Sequence, residues 1–554
     1  MPEIDNMMKH SILWKSNYQL AFLITILFLS TVQPGHGQDR ETSRFSNRIE
    51  VLAREYYRIG DYQKALEGFL ILDSLNPDNS DYNYHLGICY LNSSQKSKAY
   101  PHLEFAYHQE DAPDNILYEL ARAYHYGMEF EKAIIHYESY QKQIRHEINN
   151  VKPDGNEIAD IALYIQQCRN GIRLARDPLL NTSVYNMGLE INSEFADFAP
   201  LIDKNESLLI FTSKRKASVN TKSDPLTGQY YENVFYSTKA DGNWTKVQDI
   251  GPPINKEKVH NSAVGLSPKG DLLFLYQGDD NSLSARIAGD LLISRREGDK
   301  WGTPDEIQTI NSRNWESSAT LSEDESILVF SSDREGGYGG TDLYISRKQV
   351  NGEWSPPENL GAYINTPYND DGPFLHPDGN RLYFSSQGHN SMGGYDVFYS
   401  EFLEDRDRWT RPVNLGFPIN TPDNDIFFVW SADGERAYFS SQRSDTYGDT
   451  DIYILIRDDK DNILVNACGV VTDKINHLPV AAEIIVRDLW NNNLIGIFDS
   501  NNVSGVYSME LKAGRKYSVT VRAAGYTDVI QILEVPQGVN MGEVVKNVTL
   551  TRKK

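Results

Sequence analysis

The chain has 554 residues, of which 40% are hydrophobic and 24% charged, and a formal net charge of −23. That length exceeds what one hydrophobic core serves, so about three domains are expected. The acidic balance excludes a nucleic-acid backbone or an anionic lipid surface as the main partner, since both would be repelled. Tyrosine is abundant at 33 residues, which suits half-buried strand surfaces and binding faces alike.

Residues 1–37 read as an export signal. Lys9, His10 and Lys15 precede an apolar run from Leu20 to Leu29, and Gly35 and Gly37 supply small residues for cleavage before Gln38. Met7 or Met8 gives a cleaner basic start than Met1, which is followed by Glu3 and Asp5. The apolar run is shorter than the roughly 20 residues a spanning helix needs. The expected location is therefore the periplasm or cell envelope, with no membrane span in the mature chain.

Residues 46–176 carry a period of 34. It links Ala65, Ala99 and Ala133, then Leu52, Leu86 and Leu120, then Ala53, Gly87 and Ala121. The same step links Tyr56, Tyr90 and Tyr124, and Phe69, Leu103 and Tyr137. Small residues belong where paired helices cross closely, and large ones fill the gaps between. The segment resembles three tetratricopeptide repeats. A helix near 156–175 is expected to cap the stack. The resemblance implies a groove that takes a peptide or protein, with the quoted residues serving packing.

Residues 181–457 carry a second, longer repeat. Its anchor is an apolar strand ending in small polar residues, as in Val329-Phe330-Ser331-Ser332, Tyr383-Phe384-Ser385-Ser386 and Tyr438-Phe439-Ser440-Ser441. Ile210-Phe211-Thr212-Ser213 and Phe274-Leu275-Tyr276-Gln277 are the other two copies. A tight turn precedes each of the last four copies, a third strand follows each anchor, and in four copies a further strand begins at Trp244, Trp301, Trp354 or Trp409. Four strands per unit read as a propeller blade. The fifth unit lacks its own Leu-Gly-x-x-Ile-Asn ending. A matching piece, Met187-Gly188-Leu189-Glu190-Ile191-Asn192, precedes the first unit. The first strand is thus expected to complete the last of five blades and close the ring. The repeat resembles the PD40 class of WD40-like propeller, related to the propeller of TolB-type periplasmic proteins.

Strand order puts the longer, polar loops on one face, and binding is expected there. That face holds Arg215, Arg334, His389 and Arg443, with Glu316, Asp370, Asp371 and Asp425 where inner strands begin. All of these except Glu316 are the candidate partner-binding residues. The competing reading is that the charges pair with one another and fix loop shape.

Residues 464–552 alternate strands with Gly and Pro turns, from Gly469-Val470-Val471-Thr472-Asp473 to Gly525-Tyr526. They resemble the carboxypeptidase-regulatory-like domain, a transthyretin-like β-sandwich. The fold class expected is thus helical repeats, a five-bladed β-propeller and a β-sandwich.

No catalytic arrangement is found. The sequence has no Gly-x-Ser-x-Gly, no His-Glu-x-x-His, no phosphate loop and no dinucleotide fingerprint. Cys89, Cys168 and Cys468 lie far apart in sequence and read as small buried hydrophobes. No cofactor and no metal are expected. Adjacent Asp370 and Asp371 on one strand point oppositely and make a poor acid–base pair.

In their order, these segments resemble the PorE family of Bacteroidota. The resemblance implies a non-catalytic envelope scaffold that binds protein partners, linked to type IX secretion or gliding machinery. The alternative is a propeller that binds or processes a glycan or peptidoglycan fragment. Members of that family continue into an OmpA-like domain that grips peptidoglycan. The sequence here contains none, so direct anchoring to the cell wall is not expected.

Overall fold

The computed structural model describes residues 38–147, 155–176, 182–223, 229–278, 289–403, 408–457, 464–489, 492, 494–536 and 544–553. The expected signal at 1–37 lies outside them. The chain forms two compact units, residues 1–89 and 90–554. This division falls inside the helical segment expected at 46–176.

In the first unit, helix Gln38–Arg58 packs along helix Tyr62–Leu75, followed by the start of helix Ser80–Leu91. Asp61 caps the second helix by accepting from the Lys64 amide. Ala53, Ala65, Phe69, Leu72 and Leu86 form the buried seam. A side chain at Gly68 would meet Ala53 Cβ at 2.7 Å, so this crossing is closed by glycine. Leu52 is 56% exposed, unlike its period mates Leu86 and Leu120, both fully buried. Ala65, Ala99 and Ala133 are all fully buried, as helix crossings require.

The second unit begins with helices Ala99–Tyr107, Ile116–Tyr126, Phe130–Glu147 and Gly155–Arg176, packed in chain order as neighbours. Cys168 and Cys89 are buried, and burial pushes both thiols up, Cys89 to about 12. Cys468 lies within strand Leu464–Asp473, half-buried.

Five antiparallel sheets follow, two of four strands and three of five. Their inner strands are Asp197–Ile202, His260–Leu266, Glu316–Leu321, Asp370–Leu375 and Asp425–Trp430, which define blades 1 to 5. Each inner strand packs against the next, and the last against the first, so the ring is closed. The closing strand is Thr182–Asn186, antiparallel to Asp451–Arg457 with Thr182 opposite Arg457. A second tie crosses the same seam: Arg436 of blade 5 donates to Glu206 of blade 1 at 2.7 Å, joined by Tyr438 and Lys239. Burial raises the Glu206 carboxyl, but Arg436 and Tyr438 bring it below its ordinary value.

The outer edge differs from the single tryptophan-led strand expected. In blades 1, 2 and 4 it is split into two short pieces, such as Arg408–Trp409 and Val413–Asn414, each paired to the third strand. Trp244, Trp301 and Trp409 pair with the third strand in the first of these pieces, and Trp354 makes an isolated bridge to Lys348.

Two four-stranded sheets form a sandwich over 464–550. Strands such as Leu464–Asp473 bury alternate residues, and the core holds Val471, Ile484, Val486, Tyr507, Tyr517 and Val521. Buried Asp488 accepts from Arg515 within the sandwich at 3.0 Å and from Arg457 of blade 5 at 3.1 Å. That carboxylate fixes the sandwich to the propeller.

Candidate functional site

The repeated polar residues act first as blade ties. The asparagine that ends each repeat clamps the third strand: Asn365 accepts from the Leu343 amide at 2.8 Å and donates to the Leu343 carbonyl at 3.0 Å. Asn420, Asn192, Asn255 and Asn311 make the same two bonds in the other blades. The third-strand aspartates Asp342, Asp396 and Asp451 each accept loop amides and an asparagine from the outer edge.

The arginines form a second tie. Arg334 bonds Ser332, the Ile310 carbonyl and Glu316, the last at 2.9 Å. Arg443 bonds Ser441, the Ile419 carbonyl and Asp425, and Arg215 bonds Ser213, the Ile191 carbonyl and Asp197. Each guanidinium also lies over two aromatic rings of its own blade. The side chains of Arg215, Arg334 and Arg443 are 17%, 17% and 15% exposed. Their forks are thus engaged inside the blades.

Blades 2 and 4 depart from this pattern. In blade 2, Asn261 and Gln277 replace the acid and the serine, and Gln277 donates to the Ile254 carbonyl in the arginine's stead. In blade 4, Gly388 stands at the arginine position, where a side chain would collide with Thr366. The neighbouring His389 fills the space: its Nε2 bonds the Ile364 carbonyl at 2.9 Å and its ring packs on Phe384 and Phe398. Burial lowers its pKa, so the ring is neutral at pH 7. Asp370 is left without a cation. One oxygen accepts from Thr366, and the other is buried with no well-formed hydrogen bond among the described residues. Burial pushes this carboxyl up to about 7, against the pull of Ser386 and Thr366. Asp425, with Arg443 beside it, is raised by burial to about 6.

Asp371 turns the other way, across to blade 3, where it accepts from Ser317, Ser318 and Ser331. Asp370 and Asp371 therefore face different partners. The axis of the ring is filled by Pro200, Val264, Ala319, Pro373 and Phe427, around a void of about 40 Å³.

Polar concavity lies instead where the helices meet the loop face. His125 bonds the Met392 carbonyl at 2.7 Å, and Asn170 bonds the Ser391 carbonyl at 2.9 Å. Lys96 pairs with Asp423 at 2.6 Å and donates to Gln442. Between these contacts runs a cleft of about 490 Å³, lined by Tyr118, Arg122, Tyr126, Tyr164, Gln167 and Tyr368 among others. Tyr118, Arg122 and Tyr126 are four residues apart on one helix and share a face. Arg122 is balanced by Glu119 at 2.8 Å. Burial holds the Tyr118 and Tyr126 hydroxyls well above their usual pKa, Tyr126 at about 12, so they remain neutral donors and acceptors. A second hollow of about 450 Å³ shares Tyr126 and is lined by Lys96, Asp423 and Arg443. Its lining residues are spread over helices and loops, and apart from Arg443 no motif marks them in the sequence.

Among the described residues, no group of His, Cys, Asp and Glu could hold a metal ion, and no helix is long and apolar enough to cross a membrane.

No family model and no curated protein matches the chain. Solved structures do match. A putative TolB from Agrobacterium tumefaciens is 15% identical, with 60% of this chain and 98% of that chain covered at a TM-score of 0.30. The periplasmic gluconolactonase of Pseudomonas aeruginosa is 11% identical, with 62% and 96% covered at 0.25. A GH32 β-fructofuranosidase of Bombyx mori is 10% identical, with 71% and 93% covered at 0.34. Likeness at this level carries no argument about activity, and the propeller is established by the strand pairing itself.

Proposed function

We propose that this chain is a non-catalytic scaffold of the bacterial cell envelope that holds protein partners. The carrying observation is the tyrosine-lined cleft between the helices and the propeller loops. Tyrosine supplies contact area and hydrogen bonds at low entropic cost, which suits recognition. The candidate carboxylates support the same reading. Glu316, Asp370, Asp371 and Asp425 are turned into or between blades, away from any shared reaction centre. A periplasmic location follows from the expected signal at 1–37. A link to the type IX secretion or gliding machinery rests on the resemblance of segment order to the PorE family.

The test is capture from the native envelope by cross-linking, with wild type and a Tyr126→Ala/Tyr368→Ala variant. Loss of a specific partner by the variant, on the order of ten-fold, with an unchanged melting curve, is the expected result. Equal capture by both proteins would remove the cleft from the binding surface.

A further inference from the structure

Each blade-edge tryptophan packs toward the preceding blade, and two of these junctions hold open pockets at equivalent repeat positions. The first, about 550 Å³, lies between blades 1 and 2, with Leu208, Ile210 and Ile254 as floor and Trp301 as wall. The second, about 280 Å³, lies between blades 3 and 4, with Ile327 and Val329 at the floor positions and Trp409 at the wall. Hydroxyls stand at the rim: Tyr236 and Thr238 in the first, Tyr363 in the second.

Their charge is the unusual feature. In a chain of net charge −23, the first pocket is lined by Arg296 and Lys300 against Asp299, and the second by Arg347 and Arg408 against Glu358. The residue before the tryptophan is a cation in both, Lys300 and Arg408. At the other two tryptophans it is Glu353 or Asn243. The exposed guanidinium of Arg296 lies 5.9 Å from the Trp301 ring centre, and that of Arg408 lies 5.5 Å from Tyr363. Such exposed cation–π contacts are weak, and they orient the guanidinium groups toward the pocket rings.

An apolar floor with an aromatic wall, a hydroxyl rim and a one-unit cationic excess matches one ligand chemistry. We propose that these inter-blade pockets bind a carboxylate-bearing sugar ring, with its C–H face on the tryptophan wall and its carboxylate on the cations. This inference is independent of the cleft and of protein capture.

The probe is D-glucuronate against D-glucose, titrated calorimetrically into the full chain. Glucuronate is expected to bind about five-fold more tightly than glucose, as one partly exposed charge contact allows. A Lys300→Gln/Arg408→Gln variant, altered only at exposed side chains, should lose that preference while keeping its melting temperature. Trp301→Ala should weaken both sugars at the larger pocket. Equal binding of the two sugars, no binding of either, or a preference that survives the charge-removed variant would each overturn the proposal.

Discussion

Blade 4 offers a direct test of what the arginines do in the other blades. Asp370 is buried without a cation, and its carboxyl stands at about 7 against an ordinary 3.8. The folded protein therefore holds this proton more tightly than the unfolded chain. Below about pH 4 both states are protonated and the group costs nothing. As pH rises toward 7 the unfolded chain ionises first, so stability falls across that window. Above it the full penalty applies. At about 1.4 kcal/mol per unit, the shift amounts to a ceiling of about 4 kcal/mol. Asp370→Asn, the residue type that blade 2 uses at Asn261, removes the charge and keeps the acceptor for Thr366. Urea unfolding followed by tryptophan fluorescence at pH 4 to 8 measures the effect. The difference between variant and wild type should be small at pH 4 and grow in the variant's favour to a few kcal/mol at pH 8. Comparing the two proteins at each pH cancels the other raised carboxyls, such as Asp425 and Asp451. A difference that stays flat with pH would refute the argument.

Other outcomes follow from the ties. Arg334→Ala should destabilise the propeller by about 3–5 kcal/mol, because it leaves Glu316 buried and unpaired, and thermal melting reads this directly. Asn365→Ala removes a clamp that both donates and accepts, so a loss of about 2 kcal/mol in urea unfolding is expected. Asp488→Ala removes the acceptor shared by Arg457 and Arg515 and should let the sandwich melt separately from the propeller in calorimetry, while the propeller itself still melts cooperatively. Deleting 182–192 opens the ring, and the purified protein should aggregate by light scattering where wild type does not.

Much of the architecture was legible because repeats repeat. The anchors at Phe330, Phe384 and Phe439, the closing piece at 187–192 and the alanine column at 65, 99 and 133 all carry their meaning in spacing. The roles of polar residues were not legible in the same way. Arg334 and Arg443 read in the sequence either as partner contacts or as ties that fix loop shape, and the acids they meet lie 18 positions earlier in the same blade. Leu52 fits the period but not the burial, since a period records a position and not whether a neighbour covers it. The docking of the helices on the propeller was the largest omission. His125, Asn170 and Lys96 reach loops more than two hundred positions away. Polar contacts of that range leave no local pattern. They also explain why residues 90–176 belong with the propeller and would not behave as part of a free-standing helical segment.

The closing strand has a mechanical consequence. The chain enters the propeller at Thr182 and leaves it at Arg457, and these two residues sit opposite each other in one antiparallel ladder. A pull applied between the preceding helices and the following sandwich would thus act at the same end of that ladder. It would separate the hydrogen bonds one after another, as a zipper opens, and would not load them together as sliding strands would. The other four blades would carry none of this force. Resistance would come from the Asp488 contacts beyond the exit and from the His125 and Asn170 contacts before the entry, which must yield before the ladder feels the load. A ring closed this way gives way readily to tension along its own chain, with blade 5 as the first part to open.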